Sequence, residues 1–153
     1  MSIMHERITP YEGMESISLR MSYEDTKSVL KEKGIVYRVE VWENKGCDPE
    51  VPWKIIQVEK GIRFFYAKDK MFKMCFEDGY EGRMANGIYL GIPLENAKKL
   101  DETLVYDEEN EDYGSTSGYW LETNSDDDTV VSITVFIPAL EDEEFFFSYK
   151  WAE

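Results

Sequence analysis

Apolar and polar positions alternate along residues 36–42. Tyr37, Val39 and Val41 are interleaved with Arg38 and Glu40, and this two-residue period predicts a half-buried strand. Further strands are expected over residues 54–58, 62–67 and 71–76, with Lys60-Gly61 as a tight hairpin turn. A second set is expected over residues 104–106, 119–123, 129–137 and 145–151, with residues 124–128 and 138–144 as hairpin loops. In the last of these, Phe145, Phe147, Tyr149 and Trp151 would share one core-facing side. Glu141, Asp142, Glu143 and Glu144 would guard that very apolar strand against edge pairing.

A helical period precedes each set. Ser22, followed three residues later by Asp25, is an N-cap signature, and Gly34 supplies a left-handed stop. The intervening helix would turn Thr26, Val29 and Leu30 inward. The segment opening it has an echo 71 residues on: placing Ile17 on Ile88 sets Leu19 on Leu90, Met21 on Ile92, Glu24 on Glu95 and Lys27 on Lys98. Ser22 then meets Pro93, a residue favoured in the first turn of a helix. The expected fold class is α+β: two tandem repeats, about residues 11–80 and 82–153, each a short helical opening followed by about four mostly antiparallel strands. Both would lie in one compact domain spanning residues 1–153.

The segments Ile17-x-Leu19-x-Met21-Ser22-x-Glu24 and Ile88-x-Leu90-Gly91-Ile92-Pro93-x-Glu95 resemble the opening of a helix–loop–helix plus β-meander repeat. That repeat occurs in tandem in beta-lactamase inhibitor proteins and singly in small lipoproteins of the SmpA/OmlA type. The first copy departs from the pattern at Arg20, where the second has Gly91. The resemblance implies a fold and, loosely, a binding role. Residues 1–14 contain no apolar run of the signal-peptide kind, and there is no lipobox cysteine, so the lipoprotein side of the likeness is not expected to extend to an anchor.

Charge changes the picture more than composition does. Residues 101–153 hold sixteen acidic side chains and one basic one, Lys150, whereas residues 1–100 hold sixteen of each. The whole net charge of -15 therefore belongs to the last third. Such a chain repels nucleic-acid phosphates and anionic membrane surfaces, and it attracts cationic partners. Aromatics reach 14%, enough large rings to build a core despite the charge. No membrane-spanning run is present, and a cytoplasmic protein is expected. Cys47 lies in a turn-like stretch and Cys75 in an expected strand, which reads as two structural thiols.

Candidate chemistry is sparse. His5 is the sole histidine and stands in the N-terminal segment, without the partners that general acid–base catalysis or a triad requires. No Cys/His metal spacing exists, and no cofactor or dedicated metal site is expected. The stretch Gly114-Ser-Thr-Ser-Gly118 lacks a phosphate-binding lysine and reads as a hairpin tip. Asp126, Asp127 and Asp128 lack the spacing of a calcium-binding loop. Paired carboxylates for hydrolysis stay open, because sequence spacing does not set spatial spacing.

Aromatics set among acids are the sharper signal. Asp107, Glu108, Glu109, Glu111, Asp112, Tyr113, Trp120 and Glu122 are the expected partner-binding residues. Tyrosine and tryptophan anchor interfaces, and surrounding carboxylates steer a basic partner. The expected function is a small acidic inhibitor, of the kind that gives cytoplasmic immunity to a basic toxin or nuclease by occluding it. Two alternatives stand beside it: a structural domain assembling through a sheet edge at residues 145–151, and a carboxylate-dependent hydrolase.

Overall fold

Strands that follow one another in the chain pair with one another, so two antiparallel meanders form, and these join side by side. The computed structural model describes residues 2–153. Helix α1 (Tyr23–Glu32) leads into β1 (Tyr37–Trp42), β2 (Trp53–Val58), β3 (Ile62–Ala67) and β4 (Lys70–Phe76). Helix α2 (Leu94–Leu100) leads into β5 (Val105–Asp107), β6 (Asp112–Ser115), β7 (Tyr119–Thr123) and β8 (Val130–Phe136). A 3-10 turn (Pro138–Glu141), helix α3 (Glu143–Ser148) and a second 3-10 turn (Lys150–Ala152) end the chain. The strands form one eight-stranded antiparallel sheet of order β1-β2-β3-β4-β8-β7-β6-β5, and the fold is α+β.

Register divides the side chains between two faces. Val58, Ile56, Phe64, Tyr66, Met74, Ile133, Val135, Leu121 and Tyr119 fall on one face, and all are buried. Helices α1 and α2 and the N-terminal segment cover it. Tyr23 of α1 meets Tyr66 edge to face, with ring centres 5.5 Å apart, and Gly13 packs on Met74. Burying this apolar face is the main source of stability, at roughly 1.5–3 kcal/mol for each fully buried large side chain.

The helix openings are tied to the sheet by matching backbone bonds. Arg20 N–H donates to the Met71 carbonyl (2.9 Å), and Met71 N–H donates to that of Met21 (3.1 Å). Likewise Gly91 N–H donates to the Val130 carbonyl (2.7 Å), and Val130 N–H donates to that of Ile92 (2.9 Å). Met71 and Val130 stand at the starts of β4 and β8, the strands that join the meanders. Ser22 caps α1 as expected, its Oγ accepting from Asp25 N–H at 3.0 Å. Thr26 and Leu30 are buried, and Val29 is half-buried.

The structure corrects the expected strand over residues 145–151. That segment is helix α3 followed by a 3-10 turn, and residues 138–144 are not a hairpin loop. Local polar groups decide it: Asp142 Oδ1 accepts from Phe145 N–H (3.1 Å), Glu143 and Glu144 suit the positive helix start, and Tyr149 ends the helix at φ 57°. Phe146 and Tyr149, three residues apart, are therefore buried, while Phe145 and Phe147 are exposed. The acids at 141–144 thus begin helical structure instead of guarding a strand. Assembly through a sheet edge at residues 145–151 falls with that strand. The second meander reaches four strands through β6 instead, which partly overlaps the stretch read as a hairpin tip. In β1, Val39 and Val41 are not half-buried but exposed, because β1 is an edge strand reaching past the helical cover.

Candidate functional site

The other face of the sheet is only partly covered, and its aromatics form a floor. Trp53, Phe65, Lys73, Phe136 and Trp120 alternate onto this face. At β4 the register shifts, and Phe72 is the extra residue between Lys73 and Met71. A bulge re-aims its side chain, and the Phe72 ring stands 4.9 Å from Trp53 and 5.0 Å from Phe146. Phe146 is stacked on Trp151, with centres 5.4 Å apart and planes 11° off parallel, so the C-terminal segment caps one half of the floor. Trp120 lies against Phe136 at 4.4 Å and forms the other half.

Between the halves runs a cleft of about 620 Å³. Asp107, Glu109 and Asn110 of the β5–β6 turn form one wall, and Glu141, Glu143 and Phe147 form the other. Trp53, Phe72, Lys73, Trp120 and Phe136 lie beneath. Lys73 supplies a single ammonium among the described residues that line the cleft, 4.4 Å from the centre of the Phe65 ring. Carboxylates over an apolar, low-dielectric floor attract cations more strongly than carboxylates in open water.

The β5–β6–β7 corner adds a cross-strand acid cluster. Asp112 pairs directly opposite Asp107. Glu122 lies on the same face as Trp120 by alternation on β7. Burial, then the charges of Asp107 and Glu122, push the Asp112 carboxyl up to about 6. Among the described residues no cation pairs with any of the three.

Asp107, Glu109 and Trp120, expected as partner-binding from the sequence, thus line the cleft, and Asp112 and Glu122 adjoin it. Glu108 and Glu111 are exposed at the turn above. Tyr113 lies on the opposite face, 5.0 Å from Tyr106 and beneath the Lys98 ammonium. Glu141, Glu143, Phe147, Trp53 and Phe136 escaped the sequence reading. The signal that could have found the first three was Asp142 three residues before Phe145, an N-cap that breaks the two-residue period.

Other polar groups serve the fold. Asp101 accepts from Ser115 Oγ (2.5 Å), Tyr119 Oη (2.5 Å), and Thr103 Oγ1 (2.6 Å) and N–H (2.9 Å). Burial alone would raise its pKa, but the bonds from Ser115, Thr103 and Tyr119 outweigh it and hold the carboxyl at about 2. Asp127 accepts from Thr129 N–H and Oγ1 within its hairpin, and exposed His5 lies 3.7 Å from Glu81. Cys47 is exposed and Cys75 buried, both free, and burial pushes the Cys75 thiol up. Among the described residues no helix is long and apolar enough to cross a membrane. Compared with protein-family models, with curated proteins and with solved structures, the chain has no match.

Proposed function

We propose that this chain is a small acidic binding protein of the cytoplasm that neutralises a basic protein partner by occlusion, as an immunity protein does to a toxin or nuclease. The observation that carries this reading is the cleft itself, an aromatic floor between walls bearing Asp107, Glu109, Glu141 and Glu143. A protein that grips nucleic-acid phosphates must carry lysines and arginines, and those side chains fit such a cleft: alkyl stems and guanidinium planes on the rings, charges on the walls. The scaffold beneath is two copies of one unit, about residues 11–80 and 82–153. Support comes from the matching backbone bonds of the two helix openings, from the positive φ shared by Arg20 (73°) and Gly91 (95°), and from a sheet order symmetric about β4 and β8. The resemblance to beta-lactamase inhibitor proteins, carried by those same openings, points the same way.

The test is capture of a partner at low ionic strength, followed by association kinetics. Glu109→Lys with Glu143→Lys is expected to slow association at least about tenfold, and to do so less as salt rises. Trp120→Ala is expected to speed dissociation. A captured partner that associates with the charge-reversed variant at the wild-type rate removes the cleft as the binding surface. A second reading, carboxylate-dependent hydrolysis, is favoured by one observation: Asp112 is buried directly opposite Asp107, which pushes its carboxyl up to about 6, towards the range of a general acid. It predicts turnover of glycoside substrates that Asp112→Asn abolishes.

A further inference from the structure

Among the described residues the outer edge of β1 carries no strand, and it exposes a run of apolar side chains. Val39 is 45% exposed, Val41 53%, Trp42 38%, and Val36, just before the strand, 84%. The opposite edge is β5, which is three residues long and runs into the acidic turn. A six-residue edge with unpaired backbone N–H and C=O groups and exposed β-branched side chains is a template for another strand.

We propose that β1 pairs antiparallel with β1 of a second copy of this chain, about a two-fold axis through Val39. Self-complementarity selects this occupant and this register. With Val39 opposite Val39, Arg38 of each copy stands across from Glu40 of the other, so the ion pair forms twice. Tyr37 meets Val41 and Val36 meets Trp42, so apolar meets apolar at every remaining position. Centring the pair on Glu40 instead sets glutamate against glutamate and Arg38 against Trp42. Shifting by one residue turns Val39 and Val41 to the wrong face. A symmetric two-stranded contact of this kind is isologous and closes at two copies.

Long-range charge permits it. Of the residues that carry the net charge, those on β5–β8 lie in the half of the sheet away from β1, while the acids at 141–144 lie beside Asp48 of the β1–β2 loop; residues 1–100 are balanced. Joining two copies at β1 keeps the β5–β8 acids at opposite ends and leaves both clefts open. Arg38 and Glu40 share one face of β1; within one chain Arg38 Nη2 reaches across to Gln57 Oε1 of β2 (3.1 Å) and Glu40 Oε1 accepts from Trp42 Nε1 along the strand (2.9 Å), so on pairing each exchanges a neutral partner for an opposite charge.

Sedimentation equilibrium from low to high micromolar concentration tests this. The wild type is expected to dimerise. Glu40→Arg sets Arg38 against arginine twice and is expected to weaken the dimer at least about tenfold. Arg38→Glu does the same with glutamates. The double variant Arg38→Glu/Glu40→Arg restores both pairs in the same register and is expected to recover the dimer to within about threefold of the wild type. Far-UV circular dichroism and thermal unfolding show that each variant is folded. A wild type that stays monomeric over the whole range overturns the proposal. So does a dimer indifferent to Glu40→Arg, or one that the double variant does not restore. The result is independent of the cleft, whose partner binding none of these substitutions touches.

Discussion

Asp107 and Asp112 stand directly opposite one another across the β5–β6 pair, two carboxylates where like charges are unfavourable. Asp112 is buried, and its carboxyl is pushed up to about 6 by that burial and by Asp107 and Glu122. The folded chain therefore binds more protons than the unfolded chain between pH 3.8 and about 6. This group's contribution to stability falls as pH rises through that window and stays low above it. Asp112→Asn is expected to stabilise the protein at pH 8, on the order of 2 kcal/mol after allowance for solvent screening, and to change little at pH 3.5. Urea unfolding at the two pH values checks the sign. A cationic partner side chain relieves the same repulsion, so partner affinity is expected to rise between pH 5 and pH 7.

Asp101 works in the opposite sense. Its carboxyl sits at about 2, held down by bonds from Ser115, Thr103 and Tyr119 against the effect of burial. A depressed carboxyl contributes stability above its unfolded value near 3.8 that is lost as pH falls through about 2. Asp101→Asn is expected to cost roughly 2 kcal/mol at pH 7, the range for bonds to a charged acceptor, and nearly nothing near pH 2. The Tyr119 hydroxyl, also bonded by Asn86 Nδ2 at 3.0 Å, keeps one partner in that variant.

Two adjacent phenylalanines separate stability from binding. Phe146 is buried against Phe72, Trp53 and Trp151, whereas Phe147 is exposed at the wall of the cleft. Phe146→Ala is expected to cost about 3–5 kcal/mol and to release the C-terminal cap from the floor. Phe147→Ala loses an edge-on contact with Phe146 at 5.0 Å and is expected to cost about 1 kcal/mol in thermal unfolding. It therefore tests the cleft in partner-binding assays without disturbing the fold.

Legibility followed the strength of local signals. The first meander was readable because Lys60-Gly61 and the long apolar runs of β2, β3 and β4 agree with one another. Helix α1 was readable from Ser22 and Gly34. The end of the chain was not, because four aromatics at two-residue spacing outweighed the Asp142 cap, although capping and burial of Phe146 decide the outcome. Half of the cleft was legible, since Asp107, Glu109 and Trp120 lie on strands or turns that the acidic run marks. Its other wall depends on α3, and its floor depends on a bulge at Phe72 that no periodicity announces.

Arg20 and Gly91, aligned by the echo between the helix openings, both lie at positive φ, and both are exposed. Nothing stands within 4 Å of a Cβ built on Gly91, so its substitution meets the backbone cost without a clash. Gly91→Ala is expected to cost about 1 kcal/mol, and Arg20→Gly to be neutral or to gain up to about 1 kcal/mol. Gly118, also at positive φ, differs: a Cβ there would overlap the Tyr11 ring. Tyr11 donates its hydroxyl to Glu141 and packs edge-on against Phe136 at 6.2 Å, so Gly118→Ala forces it off the end of the cleft. Gly118→Ala is thus expected to cost at least about 2 kcal/mol, from backbone and overlap together. In a Tyr11→Ala background the overlap is gone, and Gly118→Ala is expected to add only the backbone cost to that of Tyr11→Ala. Thermal unfolding of these variants checks the order, and Gly118→Ala costing no more than Gly91→Ala would remove the contact between Tyr11 and the β6–β7 turn.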